Sequence, residues 1–224
     1  MSNGQVDPFG LPNEEAIRFF RQKGYRLGWD WTETQKQQHS RAFTVAKVAQ
    51  LDLLADIRQA VDKAIAEGQT LRSFKKGLSP LLQEKGWWGE KRVVTPNTGK
   101  EETVQLGSPR RLRPIYETNL RTARAAGQWE RIQRTKETRP YLRYVALPDA
   151  RKEHAEWNGT VLPVDDPWWS THMPPNGWGC RCRVQQLSER DLERYGFQVS
   201  AERPTSVDDP TGLGKGWAYN PGDF

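Results

Sequence analysis

The sequence predicts an α+β fold, with a mostly helical N-terminal half followed by a small α+β module of short strands and a loop-rich Cys/His region. Three observations predict it. Apolar residues recur at helical spacing through most of the chain before Gly86. Two later segments, 141–147 and 180–187, alternate and carry β-branched or aromatic residues, as half-buried strands do. Hydrophobic residues make up only 35% of 224 and mean hydropathy is −0.87, which disfavours one large core. Ten tryptophans can still support compact small ones, because each large ring buries much area.

The first ten residues read as an arm. Residues 11–23 predict a short helix started by Pro12 or Asn13, ended by Gly24, and apolar along Ala16, Ile17, Phe19 and Phe20. Trp29 and Trp31 fall in a linker. Thr32-Glu-Thr-Gln35 has the capping-box pattern, in which the two ends of a first turn satisfy each other's free amides. Phe43, Ala46, Leu53, Leu54, Ile57, Val61, Ala64 and Ile65 then follow at helical spacing, with a weak point near Gln50 and a stop at Gly68. A further helix is expected from Thr70, interrupted at Pro80 and closed by Gly86. His39 reads as a surface residue.

Residues 89–109 are punctuated by Gly and Pro and predict a hairpin across Pro96-Asn-Thr-Gly99. The expected organisation is a helical region over 1–88, a linker over 89–109, the α+β module over 110–198, and an irregular tail over 199–224. Within the module come a basic helix over 114–136 opened by Pro114, a strand over 141–147, and a short helix over 148–157 stopped by Asn158-Gly159. A second strand, 180–187, and a helix capped by Ser188-Glu-Arg-Asp191 complete it.

The net charge of +6 is uneven. Residues 110–143 hold ten Lys and Arg against three Glu. Arg110, Arg111, Arg113, Arg121, Arg124, Arg131 and Arg134 are the candidate nucleic-acid contacts; at helical spacing Arg121, Arg124 and Arg131 share a side with Gln128. The alternative is a solvated face laced with ion pairs. Trp87 and Trp88 are candidate partner anchors, with local packing as the alternative; the pair 168–169 suits local packing better. No apolar run approaches the roughly 18 residues that span a bilayer, so no membrane anchor is expected. The first fifteen residues lack the features of a secretory signal, and two cysteines one residue apart are no disulfide framework, so a reducing, cytosolic site of folding fits best.

Chemistry concentrates between positions 149 and 182. This window holds two of the three histidines, both cysteines and four tryptophans. His154, His172, Cys180 and Cys182 make a Cys2His2 donor set suited to structural zinc, with Asp149, Asp165 and Asp166 as substitutes. On one strand, Cys180 and Cys182 would turn both sulfurs to one face. Cys-x-Cys is nevertheless tighter than the usual zinc spacing, and buried unligated thiols remain the alternative. His154-Ala-Glu156 also matches half of a zinc nucleobase-deaminase motif, but its Pro-Cys-x-x-Cys half is not met. Arg151 and Arg181 are expected to bond loop carbonyls or pair with Asp165 and Asp166. No catalytic set assembles from the sequence.

Several of these residues together carry a family resemblance. Ala150-Arg-Lys-Glu-His154, Asn158-Gly159, Met173-Pro-Pro-Asn-Gly177 and Gly179-Cys-Arg-Cys182 resemble the signature of the phage Mu F-like minor head, or head morphogenesis, proteins. Arg41-Ala-Phe-Thr-Val-Ala-Lys47 and Ala64-Ile-Ala-Glu-Gly-Gln-Thr70 are similar to the front of such proteins. The resemblance implies a non-enzymatic virion protein of a tailed phage or prophage, made in the bacterial cytoplasm. It implies a role in head assembly near the portal, with the portal and head shell as partners and packaged double-stranded DNA as a further contact. Some relatives carry toxin domains after this part, and none is expected here. The family brings no catalytic residue to carry over. The competing expectation is a zinc-dependent enzyme acting on nucleic acid, deaminase-like or nuclease.

Overall fold

A computed structural model describes residues 13–29, 41–95, 99–204 and 213–223. The expected capping box at Thr32–Gln35 and His39 lie outside the described residues. Those described form two compact units, one of residues 13–29, 41–95 and 99–123 and the other of 124–204 and 213–223. The units part within a helix, rather than at the Gly- and Pro-rich stretch 89–109 that composition marks as the joint.

In the first unit, α1 (Glu14–Gln22) starts where Asn13 accepts from the Ala16 amide at 3.0 Å, and buries the four apolar residues its spacing predicts. β1 (Gly24–Tyr25) pairs in parallel with β2 (Ala42–Phe43). The helix expected across Phe43 and Ala46 is therefore not there. Phe43 sits on a strand, edge-on to Phe20 at 5.7 Å between ring centroids, and Lys47 has φ +64°, which no right-handed helix accommodates. The weak point at Gln50 is the actual N-cap of α2 (Leu51–Glu67). Leu53, Leu54, Ile57, Val61 and Ala64 form its buried stripe, and Gly68 ends it at φ +65°.

Thr70 caps α3 (Leu71–Glu84), which buries Phe74, Leu78 and Leu82 and continues through Pro80. Pro80 stands on the exposed side, where water can solvate the carbonyl its missing N–H would have bonded. The expected hairpin is present as β3 (Glu90–Val94) and β4 (Glu101–Gln105). The basic helix, α4 (Pro109–Thr135), starts five residues before Pro114. Ser108 accepts from the Arg111 amide at 3.2 Å, so Pro109 is the proline that opens the helix.

The second unit is built on a three-stranded antiparallel sheet of order β6 (Val161–Pro163), β5 (Tyr141–Val145), β7 (Arg183–Leu187). Leu142 and Tyr144 alternate inward from β5 and meet Trp157, Trp168, Trp169 and Met173 in the core. Three short helices complete it: α5 (Lys152–Glu156), α6 (Trp169–His172) and α7 (Glu189–Tyr195). The Ser188/Asp191 capping box of α7 forms in both directions. The stretch expected to be an irregular tail is partly core. Leu213 joins the apolar cluster, Trp217 and Tyr219 are buried, and a Cβ at Gly222 would lie 2.5 Å from Trp129.

Candidate metal centre

The turn after β5 aims His154 inward. The Gly159 amide donates to Tyr144 O at 2.9 Å, the Asn158 side chain accepts from the Ala146 amide at 3.0 Å, and Gly159 takes φ +87°. This closes α5 after little more than a turn. His154 is 2% exposed, while Glu156, two residues on and about 200° around the helix, is exposed. The His-x-Glu pair therefore does not converge on one site, as deaminase chemistry would need.

Cys180 and Cys182 lie in the loop before β7 rather than on a strand. They converge even so, because the loop is held at three points. Cys180 N donates to Gly177 O at 3.1 Å. Arg151 Nη2 donates to Trp178 O at 2.7 Å, and a Cβ on Gly177 would come within 2.5 Å of that guanidinium and displace it. The buried Asn176 accepts from the Tyr144 hydroxyl at 2.9 Å and, through its carbonyl, from the Gly214 amide at 3.1 Å. Met-Pro-Pro-Asn-Gly, a motif in the sequence, is thus the strut under the cysteine loop.

Both sulfurs stand 3.7 Å from His154 Nδ1, and donor atoms of the three residues lie within 4.8 Å of one another. They face a cavity of about 220 Å³ that Asp149, Arg151, Trp178 and Arg181 also line. Pairing with the Cys182 thiol, and after it His154, draws the Cys180 pKa down from its ordinary value. The same pairing, with burial, drives Cys182 upward. His154 Nε2 is buried and has no hydrogen-bond partner among the described residues. Its ring stacks on Trp157 with centroids 5.0 Å apart.

The fourth expected donor is elsewhere. His172 stacks on Trp168 at 4.4 Å, and its Nδ1 is 2.8 Å from Thr171 Oγ1 and 3.2 Å from Trp168 O, so it stands outside the donor group. Its place four residues after Trp168 on a helical turn is what turns it back onto that residue. The aspartates also have other duties. Asp149 pairs with Arg181, Asp165 with Lys136 at 2.7 Å, and Asp166 with Arg203 at 2.9 Å, so Arg181 takes Asp149 in place of Asp165 or Asp166, while Arg151 bonds a loop carbonyl as expected.

The candidate arginines divide by role. Arg111 is internal: it donates to the carbonyls of Gln105 and Ala46 at 2.7 Å each and of Leu106 at 3.0 Å, over the Trp87 ring. Arg110, Arg113 and Arg124 are exposed, Arg113 and Arg121 flank Glu117, and Arg134 lies 3.7 Å from Glu130. Arg131 is half-buried. Gln128, on the same side, donates to Val184 O at 3.0 Å, so that stretch of the face is covered by β7. Of the Trp87–Trp88 pair, Trp87 follows the local-packing alternative. Trp87 is buried and donates to Lys47 O at 2.8 Å, and half-buried Trp88 packs so closely on Gly107 that a Cβ there would meet its ring at 2.7 Å.

Comparison with known proteins bears on this arrangement. The chain is 41% identical to a protein F of Escherichia phage Mu whose name assigns it to capsid assembly, over 95% of this chain and 54% of that protein. It is 39% identical to the Mu-like prophage FluMu F protein of Haemophilus influenzae, over 88% of this chain and 53% of the relative. The chain thus spans about half the length of these curated relatives. No solved structure matches it. A family model described as Phage Mu protein F like protein matches residues 55–185, more than half of the sequence and inclusive of all three clustered donors, and the chain belongs to that family.

Proposed function

We propose that this chain is a non-enzymatic assembly protein of a Mu-like phage or prophage head, made in the bacterial cytoplasm and retained in the virion near the portal. The observation that carries this reading is its similarity, over nearly its whole length, to the phage Mu protein F named for capsid assembly. No helix among the described residues is long and apolar enough to cross a membrane, which suits a protein that works at the head shell. Portal and shell proteins are the partners. Co-expression with the portal protein of the same phage tests this: co-purification in a fixed ratio is expected, and head particles devoid of the chain would sink the reading.

Packaged double-stranded DNA is the second partner. The arginines available to it are Arg110, Arg113 and Arg121 in the first unit and Arg124 and Arg134 in the second. Ion pairs with Glu117 and Glu130 weaken Arg113, Arg121 and Arg134 only slightly, since surface pairs contribute little. Duplex binding at low salt should weaken in both the Arg110→Ala/Arg113→Ala and the Arg124→Ala/Arg134→Ala double variants. The slope of affinity against salt should fall by about one for each phosphate no longer neutralised. An unchanged slope in both variants would remove DNA as a partner.

A further inference from the structure

We propose that His154, Cys180 and Cys182 bind one zinc ion through Nδ1 and two thiolates, and that its fourth coordination position opens into the adjoining cavity, where it takes water or an exchangeable small ligand. The site stands independently of the head-assembly reading.

Distances favour it first. Zinc bonds of about 2.05 Å to nitrogen and about 2.3 Å to sulfur, at a tetrahedral angle, place N and S about 3.6 Å apart. Both sulfurs are 3.7 Å from Nδ1. A ring nitrogen has one in-plane direction for a hydrogen bond, whether as lone pair or as N–H, so it aligns with one sulfur and not with two. A metal at the centre uses all three donors at once.

Burial points the same way. His154 and Cys180 are 2% and 6% exposed, and taking a polar group such as an imidazole out of water without compensation is costly. Two thiolates neutralise a divalent ion, so the loaded site carries no net charge into the interior. Two sulfurs and an imidazole also select a borderline-soft ion over magnesium or calcium, which prefer oxygen.

The number of donors determines the kind of site. Structural zinc is closed by four protein ligands, whereas three leave a position for water or substrate. Here His172 is held by Thr171 and Trp168, and Asp149 is engaged by Arg181. The cavity of about 220 Å³ is many times the roughly 30 Å³ a water occupies, so the fourth position has room for an outside ligand. Trp178 at its edge is 43% exposed, which leaves that mouth accessible.

The test uses the full chain, purified without chelator from zinc-supplemented cells. Elemental analysis should give about one zinc per chain. Cys180→Ser, Cys182→Ser and His154→Ala should lose the zinc, and His172→Ala should keep it. Because the ligand variants can misfold, cobalt is also titrated into the chelated wild-type chain. A four-coordinate visible spectrum with thiolate charge-transfer bands is expected, and added imidazole should shift its ligand-field bands. A folded chain that takes up neither metal overturns the proposal, as does a Cys180–Cys182 disulfide that persists under reducing purification. Loss of zinc in His172→Ala would overturn the ligand set, and a cobalt spectrum unmoved by imidazole would overturn the open position.

Discussion

Each unit takes a nitrogen-rich side chain out of water, Arg111 in part and His154 almost wholly, and the two are treated in opposite ways. Arg111 in the first unit has three carbonyl acceptors and a tryptophan face for its guanidinium. His154 in the second keeps one nitrogen without a partner and turns the other toward two sulfurs. A buried polar group whose bonds are all made holds the fold together. One left incomplete, with soft donors converging on it, is where something else is meant to bind. The contrast also separates the arginines of α4: Arg111 turns inward to its carbonyls, and Arg110, Arg113 and Arg124 face water.

Substitutions can break or sharpen this contrast. Arg111→Leu should have the largest effect, lowering stability by about 3 kcal/mol or more, because three carbonyls lose a charged donor. Urea denaturation measures it, and a loss under about 1 kcal/mol would mean those bonds are not structural. Lys23 is an intermediate case, buried with its ammonium 4.9 Å from the Phe19 ring centroid. Burial pulls its pKa down to about 7 from the ordinary 10.5. Between those values the unfolded chain holds a proton the folded chain lacks, so stability rises with pH across that window and the full cost is felt below it. Lys23→Met should stabilise the protein by about 1–3 kcal/mol at pH 7, with the gain shrinking as pH approaches 10.5. A constant difference across the window would mean the amine is not desolvated.

The smallest change is expected at the incomplete site itself. In chelated protein, His154→Phe keeps a ring against Trp157 and removes the orphaned nitrogen, so stability should move by less than about 1 kcal/mol. A loss as large as that of Arg111→Leu would make His154 an architectural residue and dissolve the contrast.

The sequence made the helical stripes and the Ser188 cap legible because both rest on local spacing. It misread Phe43 and Ala46 because β1, nearly twenty residues earlier, recruits that stretch as a strand and Lys47 bends it out of helix. Pro114 looked like a helix start because nothing local shows that Ser108 already caps the chain. At the candidate site, three of four donors were readable from residue type alone. His172 was not distinguishable from them, since its turn toward Trp168 depends on side-chain packing. The role of Asn176 was hidden for the same reason, since its partner Tyr144 is 32 residues away. Trp87 read as a partner anchor because its neighbours are turn residues, yet Arg111 and Gly107 cover it.

The packing of residues 213–223 on the second unit bears on the order of synthesis. Leu213 joins the cluster that includes Ile132, and Gly222 accommodates Trp129, so the last part of α4's cover is synthesised well after β7. Pairings that distant in sequence close slowly. Until they close, Asn176 lacks the Gly214 amide that steadies its carbonyl, and the cysteine loop above it is short of a brace. The donor cluster therefore gains its full support only once residues 213–223 have been made.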